Sequence, residues 1–384
     1  MTILGLTKVI QVSISIVTYN SSSVIENCIN SIFENTKDLT FEIILIDNCS
    51  EDNTAQIINE KFPNITFIQN TKNVGFGKAH NQTFKISKGK YFLILNPDTI
   101  LFPMAINKVL DFMERNPDAG LTGCKIWWDD EKNFMFPDLP LHNLKTALLY
   151  FTPLCHFFPN NPLIKSHWQS AYTMWNATRP IEVKGVTGGF MMVRKGLFEK
   201  VGGFDENFFL FFEEHDLQRR IKKLGYKIYY IPDAEIQHYF EESCRNSSID
   251  IGSIYRKSAI YYYKKYYNIL GNFLIKFCFL INQIFTDIVK IFKINKSYPT
   301  LRPENNTLTI KYNDFAPAHK YIIEISYTEN FCDRAGMLTE KNLLKISSNI
   351  LRQLPNNSGY IRILQILHDI NHRKTILVKK IIGY

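Results

Sequence analysis

Val12-Ser13-Ile14-Ser15-Ile16-Val17-Thr18 reads as a short apolar strand, the first of a series whose order decides the fold. Glu42–Ile46 is a second strand, ending at Asp47. Ile65–Ile68 is a third, and Tyr91–Leu95 a fourth that ends at Asn96-Pro97-Asp98. Helical patterns fill the gaps. Ser21–Ser23 can cap a helix whose apolar face is Ile25, Cys28, Ile29 and Ile32. Phe76–Ser87 is a second helix, and Pro103–Arg115 a third, with Pro at its start and Asn116-Pro117 after its end. Strands alternating with helices at this spacing predict a parallel sheet covered by helices on both faces. Such sheets bind ligands at the carboxyl ends of their strands, where Thr18, Asp47 and Asp98 fall.

Working outward, the pattern loosens from about 127 to 180. That stretch holds all four tryptophans and six prolines and reads as an insertion or acceptor-side lid. Order returns with Val183–Arg194, a helix near Gly196–Val201, an acidic helix, and a strand Lys227–Ile231. Residues 256–296 carry eight Lys or Arg and one acid, Asp287, among Tyr, Phe and Ile. There Leu274, Phe277, Ile281, Ile284, Ile288 and Ile291 follow helical spacing, with Asn272, Lys276, Gln283, Asp287 and Lys290 on the other side. This predicts a basic, aromatic amphipathic helix, either held at a membrane surface or packed on the α/β domain, the β-rich tail or a second subunit. Beyond 298, Thr307–Tyr312 and Lys320–Tyr327 alternate like strands, and Ile376–Ile381 more weakly, as in a small β-rich domain. The organisation expected is 1–245 as the main α/β domain, 246–297 as the helical segment, and 298–384 as the β-rich end.

The chain has 384 residues, of which 45% are hydrophobic, so a sizeable core is available. The net charge of +9 favours an anionic partner such as nucleotide phosphates or an anionic membrane. The cations concentrate in 256–296 outside any recognisable nucleic-acid motif, so nucleic acid is not an expected partner. Seven cysteines without CxxC spacing suit reduced thiols in a cytoplasmic protein. The N-terminus lacks a signal-peptide layout. No stretch offers the roughly 18 uninterrupted apolar residues of a spanning helix.

The densest chemistry lies in Phe211-Phe212-Glu213-Glu214-His215-Asp216-Leu217-Gln218-Arg219-Arg220. Three carboxylates come directly after a run of phenylalanines, and Leu217–Leu224 reads as an amphipathic helix closed by Gly225. Carboxylates beside apolar surface at a helix N-terminus can have a pKa raised towards that of a general base, or simply suit the positive end of the dipole. Asn73-Val74-Gly75-Phe76-Gly77-Lys78-Ala79-His80-Asn81 is a glycine-rich loop before a helix. It either admits a phosphate or ribose or is a plain turn, and it lacks the dinucleotide fingerprint, which needs glycine where His80 stands. Asp98 is either a ligand for Mg2+ or Mn2+ shared with a diphosphate, with Asn96 adding a hydrogen bond, or part of a strand-ending turn. Asp47 is a ligand acceptor or a helix cap, and His238 a ligand or a structural histidine.

Together these residues resemble inverting family 2 glycosyltransferases, nearest the rhamnosyltransferase-like branch. The resemblance runs over residues 10–245. It rests on seven motifs in order: Ser15–Asn20 with Thr18-Tyr19-Asn20, Ile46–Ser50, Asn73–Asn81, Leu95–Asp98, Thr187–Arg194, Gly202–Glu206 and Glu213–Leu217. It implies a GT-A fold, a Rossmann-like mixed sheet with helices on both faces. It also implies a nucleotide-sugar donor and a divalent metal, Mg2+ or Mn2+. By position, Thr18, Tyr19, Asn20, Asp47, Asn73, Gly75, Gly77, Asn81, Asn96 and Asp98 would contact the donor. Gly188, Gly189, Phe190 and Met191 would border sugar and acceptor. Asp98 and His238 would hold the metal, and Glu214 would be the base. Two departures stand out. Asn96 replaces the first acid of the DxD motif, and Glu replaces the more usual Asp at 214, so Glu213 or Asp216 could share the role.

The function this implies is metal-dependent transfer, with inversion, of L-rhamnose from dTDP-L-rhamnose to a glycan or lipid-linked acceptor of the cell surface. The protein would then be cytoplasmic and peripheral on the inner face of the membrane. UDP-sugar transfer on the same fold and sugar nucleotidyl transfer are the alternatives, and homo-oligomerisation is left open.

Overall fold

The computed structural model describes residues 9–135, 142–158, 161–239 and 250–292, and beyond them the segments 300–301, 308–311, 321–326, 334–339, 343–346, 358–366 and 373–382. The chain forms two compact units, Met1–Lys125 with Thr178–Tyr262 and Ile126–Ala177 with Tyr263–Tyr384. Its helices are α1 (Ile25–Asn35), α2 (Thr54–Lys61), α3 (Phe76–Ile86), α4 (Ala105–Arg115), α5 (Leu144–Tyr150), α6 (Leu154–Phe157), α7 (Pro162–Trp175), α8 (Lys195–Lys200), α9 (Glu213–Lys223) and α10 (Ile251–Phe292).

The first unit is built on a mixed sheet. β1 (Val12–Thr18), β2 (Phe41–Asp47), β3 (Thr66–Gln69) and β4 (Tyr91–Leu95) run parallel, as the sequence predicts. β5 (Thr99–Leu101), β6 (Ala119–Trp127), β7 (Ile181–Glu182), β8 (Phe190–Arg194) and β9 (Lys227–His238) complete it. The strand order is β3-β2-β1-β4-β8-β6-β9-β5, with β7 on β9. β8 is antiparallel to β4, and β5 to β9. β1 and β4 are buried along their whole length, the pattern of a sheet covered on both faces. α4 shows how the cover is made. Ala105, Ile106, Val109, Leu110 and Met113 share one side and are all buried. Each of the larger four contributes about 1.5–3 kcal/mol.

Three local expectations change. The predicted Ser21–Ser23 cap is absent: α1 has no side-chain cap, and the Ser21 hydroxyl donates to the Tyr19 carbonyl at 3.3 Å instead. The acidic helix begins at Glu213, so its carboxylates lie within the first turn. β9 runs through Pro232 to His238. β7 pairs with it at Tyr229 and Tyr230 and β5 at Ile236 to His238, so along that edge the proline falls between two partner strands and interrupts neither ladder.

In the second unit the 127–180 stretch carries α5, α6 and α7 and buries Trp128, Phe134, Tyr172 and Trp175. Pro153 and Pro162 stand at the starts of α6 and α7, where a missing N–H costs nothing. The C-terminal strands are β10 (Thr300–Leu301), β11 (Leu308–Lys311), β12 (Tyr321–Ser326), β13 (Arg334–Thr339), β14 (Leu343–Ile346), β15 (Ser358–Ile366) and β16 (Arg373–Ile382). They form a sheet of order β10-β16-β15-β12-β13 and a β11-β14 pair. Thr307, Tyr312, Lys320 and Tyr327, the predicted ends of two strands, lie outside the described residues. The Tyr172 hydroxyl donates to Glu324 of β12 at 2.7 Å.

α10 is broken at Tyr267 and Asn268, where the backbone leaves helical angles and Asn268 has φ 54°. Among the described residues it is the one helix long and apolar enough, by length and composition, to cross a membrane. The sequence reading missed this because Asn272 and Lys276 interrupt every long apolar run, whereas averaged over a turn or two the segment remains apolar.

Candidate functional site

Strand register brings the first predicted residues together. Thr18 of β1 lies opposite Asp47 of β2, which lies opposite Gln69 of β3. The Thr18 hydroxyl donates to Asp47 Oδ1 at 3.0 Å. The Ser50 amide donates to Asp47 Oδ2 at 3.1 Å, and the Ser50 hydroxyl donates to Asp47 Oδ1. Asp47 is fully buried, and these donors satisfy its carboxylate oxygens. Asn20, at φ 52°, accepts from the Glu51 amide at 2.8 Å, which folds the loops after β1 and β2 onto each other. Tyr19 stands half-buried beside them, its phenol pushed up first by burial and then by Glu51.

Asn48 organises the glycine loop. Its side chain donates to Asn73 Oδ1 at 2.7 Å and accepts from the Val74 amide at 3.0 Å. The glycines of that loop admit protein. Gly75 has φ 89°, and a β-carbon there would sit 2.5 Å from the Phe209 carbonyl oxygen. One on Gly77 would sit 2.9 Å from Phe204 Cβ and 3.7 Å from Glu213 Cβ. Asn81 binds the same segment, accepting from the Phe204 amide and donating to the Phe204 carbonyl, both at 2.9 Å. His80 is buried against Ser15 at 2.6 Å, and burial pushes its imidazole down to about 3, so it stays neutral.

A second cluster forms where β4, β5, β8 and β9 meet. Thr99 pairs with His238, which sets Asp98 against that histidine, with Asp98 Oδ1 3.0 Å from His238 Nε2. Asn96 Nδ2 lies 3.2 Å from the same nitrogen, and its backbone N–H donates to Gly189 at 3.1 Å. A β-carbon on Gly189 would fall 2.9 Å from His238 Nδ1, so only glycine leaves room for the ring. Gly188 faces Phe76, 3.8 Å from the position a β-carbon would take, while Phe190 and Met191 are buried in β8. Asn96 Oδ1 is buried and unpaired. His238 Nε2 can donate to the carboxylate or accept from the amide, not both at once. A divalent cation between Asp98 and His238 would remove that conflict. An aspartate, an imidazole and an amide oxygen suit Mn2+ and tolerate Mg2+. Among the described residues no group of three His, Cys, Asp or Glu is assembled, so any ion here would need oxygens from substrate or water.

The three carboxylates of α9 have different surroundings. Asp216 is fully buried and paired with Arg220, at 2.7 Å and 2.8 Å to the guanidinium. Glu213 is buried with Oε2 unpaired. Burial pushes its carboxyl well above the usual range, and the Glu214 charge adds to this. Glu214 is raised as well, by burial, against the opposing pull of the helix amides and of Glu213. Glu214 alone of the three keeps partial exposure. The bridges through Gly77 to Glu213, Gly188 to Phe76, and Gly189 to His238 and Asn96 place the glycine loop, the start of β8, the Asp98–His238 pair and the α9 carboxylates in one neighbourhood.

Sequence reasoning assigned no role to Asn48 or Gln218. Gln218 closes a two-way bond with the Val186 backbone, at 2.7 Å and 2.8 Å, fixing the approach to β8 on the acidic helix. Its one signal is its place one turn after Glu214.

Residues 13–202 match the glycosyl transferase family 2, and residues 170–243 the N-terminal domain of galactosyltransferase. This chain belongs to the family 2 glycosyltransferases. Five of the seven motifs fall inside the first range and the other two inside the second. As a family 2 glycosyltransferase it has the GT-A fold in its first unit, which the mixed sheet displays. The N-acetylglucosaminyl-diphospho-decaprenol L-rhamnosyltransferase of Mycobacterium tuberculosis is 31% identical over 211 residues, 51% of this chain and 66% of that protein, so the chain spans just under two thirds of that relative. Rhamnosyltransferase WbbL of Escherichia coli K12 is 26% identical over 58% of this chain and 82% of its own. The mannosyltransferase PcManGT from Pyrobaculum calidifontis, in complex with GDP-Man and Mn2+, is similar at a TM-score of 0.45 and 14% identity, over 76% of this chain and 77% of its own.

Proposed function

We propose that the protein is an inverting, metal-dependent glycosyltransferase that moves L-rhamnose from dTDP-L-rhamnose to a hydroxyl of a glycan or lipid-linked acceptor. In this reading it is cytoplasmic and works on the inner face of the membrane. The observation that carries the reading is the grouping of the first turn of α9, with Glu213 against Gly77 and Glu214 raised and partly exposed beside it, with the Asp98–His238 pair at Gly189. The names of two relatives favour rhamnose and, in one, a lipid diphosphate acceptor.

Glu214 takes the proton of the acceptor hydroxyl as its oxygen attacks the anomeric carbon, and the bond from that carbon to the diphosphate breaks. One displacement inverts the centre. A carboxyl raised by burial is a stronger base than an ordinary glutamate. Glu213, buried beside it with its own carboxyl raised well above the usual range, shapes the surroundings of Glu214. Asp216 is occupied by Arg220 and fixes the helix. Thr18, Asp47 and Asn73 belong to the nucleoside end of the donor, and Gly188 to Met191 leave a low wall beside the sugar. Asp98 and His238 would hold Mn2+ or Mg2+, with Asn96 adding its amide oxygen. Bound there, the ion would offset charge on the leaving diphosphate.

The test is a thermal-shift panel of dTDP-, UDP- and GDP-sugars with and without Mn2+, and then product analysis. Stabilisation by dTDP-L-rhamnose only with metal, and release of dTDP, are expected. Release of pyrophosphate would replace this reading with nucleotidyl transfer.

A further inference from the structure

We propose that the second unit carries the face by which the protein docks on an anionic bilayer, made from the outer side of α10 beyond its break together with the phenylalanines at the end of α6. This adds a surface to the membrane location proposed above, and its test needs neither donor nor acceptor. After Asn268, residues Ile269, Phe273, Phe277, Leu280, Ile284 and Ile288 recur every three or four positions, and their exposure runs from 42% at Ile288 to 84% at Ile269. A surface helix ordinarily turns polar residues outward. This one is apolar on both sides: Ile275 and Cys278 are fully buried, and Phe279 and Phe285 pack on Phe151 and Phe157 with ring centroids 5.4 Å apart. Phe157 and Phe158 are each 59% exposed, and the contact with Phe285 makes them continuous with the helix face.

Charge and anchoring identify the occupant. In the second unit α10 contains Lys264, Lys265, Lys276 and Lys290 against Asp287 alone. Lys264, Lys265 and Lys276 are exposed. A cationic apolar face suits anionic lipid. A second copy docked face to face would bring like charges together. With one side packed into its own unit, the helix can meet a bilayer along its length but cannot surround itself with lipid, so it lies in the interface instead of spanning it.

Flotation of the full chain on vesicles of neutral phosphatidylcholine, or the same lipid with phosphatidylglycerol, tests this. Wild type is expected to float with the anionic vesicles, to be released by high salt, and to lose at least ten-fold in bound fraction in F273E/F277E and in F157S/F158S, while F273L/F277L floats like wild type. Variant secondary structure and Tm confirm folding. No flotation, equal flotation with both vesicles, resistance to salt, or unchanged flotation of both variant pairs would overturn the proposal. So would a wild-type dimer that F273E/F277E turns into a monomer, because the face would then belong to a second copy. Transfer to a soluble acceptor by the flotation-deficient variants tests the enzymatic reading separately.

A different observation carries a second inference, within the first unit. Phe211 and Phe212 both have φ 69°, two successive non-glycine residues in the left-handed region immediately before Glu213. Such strain persists only where surroundings over-determine it. Here the surroundings are the first turns of α10. Tyr255 packs on Phe211 and Phe212 at 5.4 Å and 5.3 Å, Tyr262 packs on Phe212 at 5.4 Å, and Ser258 donates to the Leu210 carbonyl at 2.7 Å. The Tyr261 hydroxyl donates to Asp205 at 3.0 Å, closing the brace on the other side of the phenylalanine run. The geometry points to Tyr255 and Ser258 as positioning residues that hold the elbow presenting Glu214.

Y255A and S258A should lower kcat at least ten-fold with donor Kd unchanged, and Y255F should restore it. Y261F, which deletes one hydrogen bond and keeps the ring, guards against misfolding and should give a smaller fall of the same kind. A lower Tm with kcat per folded molecule unchanged in all of these, or parallel loss of donor binding, would refute the assignment.

Discussion

Replacing Glu214 by Gln removes a negative charge and a basic oxygen while keeping the shape of the side chain. Loss of a positioned general base costs about 10²–10⁴-fold in rate, or about 3–5 kcal/mol of transition-state stabilisation. The surroundings argue for the upper part of that range, because neither neighbour can stand in. Asp216 is held by Arg220 at 2.7 Å, and Glu213 is buried with its carboxyl raised well above the usual range. A fall in kcat of about 10³-fold or more is therefore expected. Donor affinity should not change, because Thr18, Asp47 and Asn73 are held by one another, Ser50 and Asn48, and none of their hydrogen bonds involves Glu214. Initial rates of dTDP release, set beside donor binding by calorimetry, give both numbers. Stability adds a check of sign. A carboxyl raised in the folded state binds its proton more tightly there than in the unfolded chain. Its contribution is present at low pH and is lost as pH rises from the ordinary glutamate value through the raised one. The Gln variant lacks this loss, so its Tm should exceed that of wild type at pH 8 and approach it at pH 4. Turnover within about ten-fold of wild type would refute the argument and move the base to Glu213.

The Glu213 side chain opposes the burial that raises Glu214, so E213A should move the acid limb of the pH–rate profile to higher pH, while E213Q, which keeps a donor at that position, should leave it in place. Asp98→Ala should weaken Mn2+-dependent donor binding by at least the ~10–100-fold that outer-sphere partners of a metal already command, and should abolish sensitivity to chelator; unchanged titrations in EDTA and Mn2+ would remove the metal from this site. Gly75→Ala combines φ 89° with a β-carbon 2.5 Å from the Phe209 carbonyl oxygen, so it should cost about 2 kcal/mol or more in urea unfolding.

The first four strands were legible because β1 and β4 are buried along their whole length, β4 as an unbroken apolar run and β1 as apolar residues alternating with small buried serines, each followed by polar residues. The features that escaped the sequence are bonded across distance. Asn48 reaches Val74, and Gln218 reaches Val186, through backbone groups that carry no side-chain signature. The left-handed elbow before Glu213 was invisible for a related reason. Glycine or asparagine normally marks such a turn, and here two phenylalanines adopt it under outside packing. The 127–180 prolines read as loop, although Pro153 and Pro162 open α6 and α7, and the membrane-length character of α10 was masked by its polar residues.

The Asn at 96 bears on how a site of this kind would work. With one carboxylate and one imidazole from the protein, the cluster holds less negative charge than a pair of acids would, and an ion there would be attracted weakly until donor phosphates arrive. The buried, unpaired Asn96 oxygen costs stability in the free protein and finds a use when a cation is present. Donor and ion would thus each raise the affinity of the other by the same factor, since coupling of two ligands at one site is reciprocal. The strand register makes that coupling mechanical as well: β5 pairs Thr99 with His238, and Asn96 is bonded to Gly189. An ion held by Asp98 and His238 would therefore sit at the same corner where β8 begins.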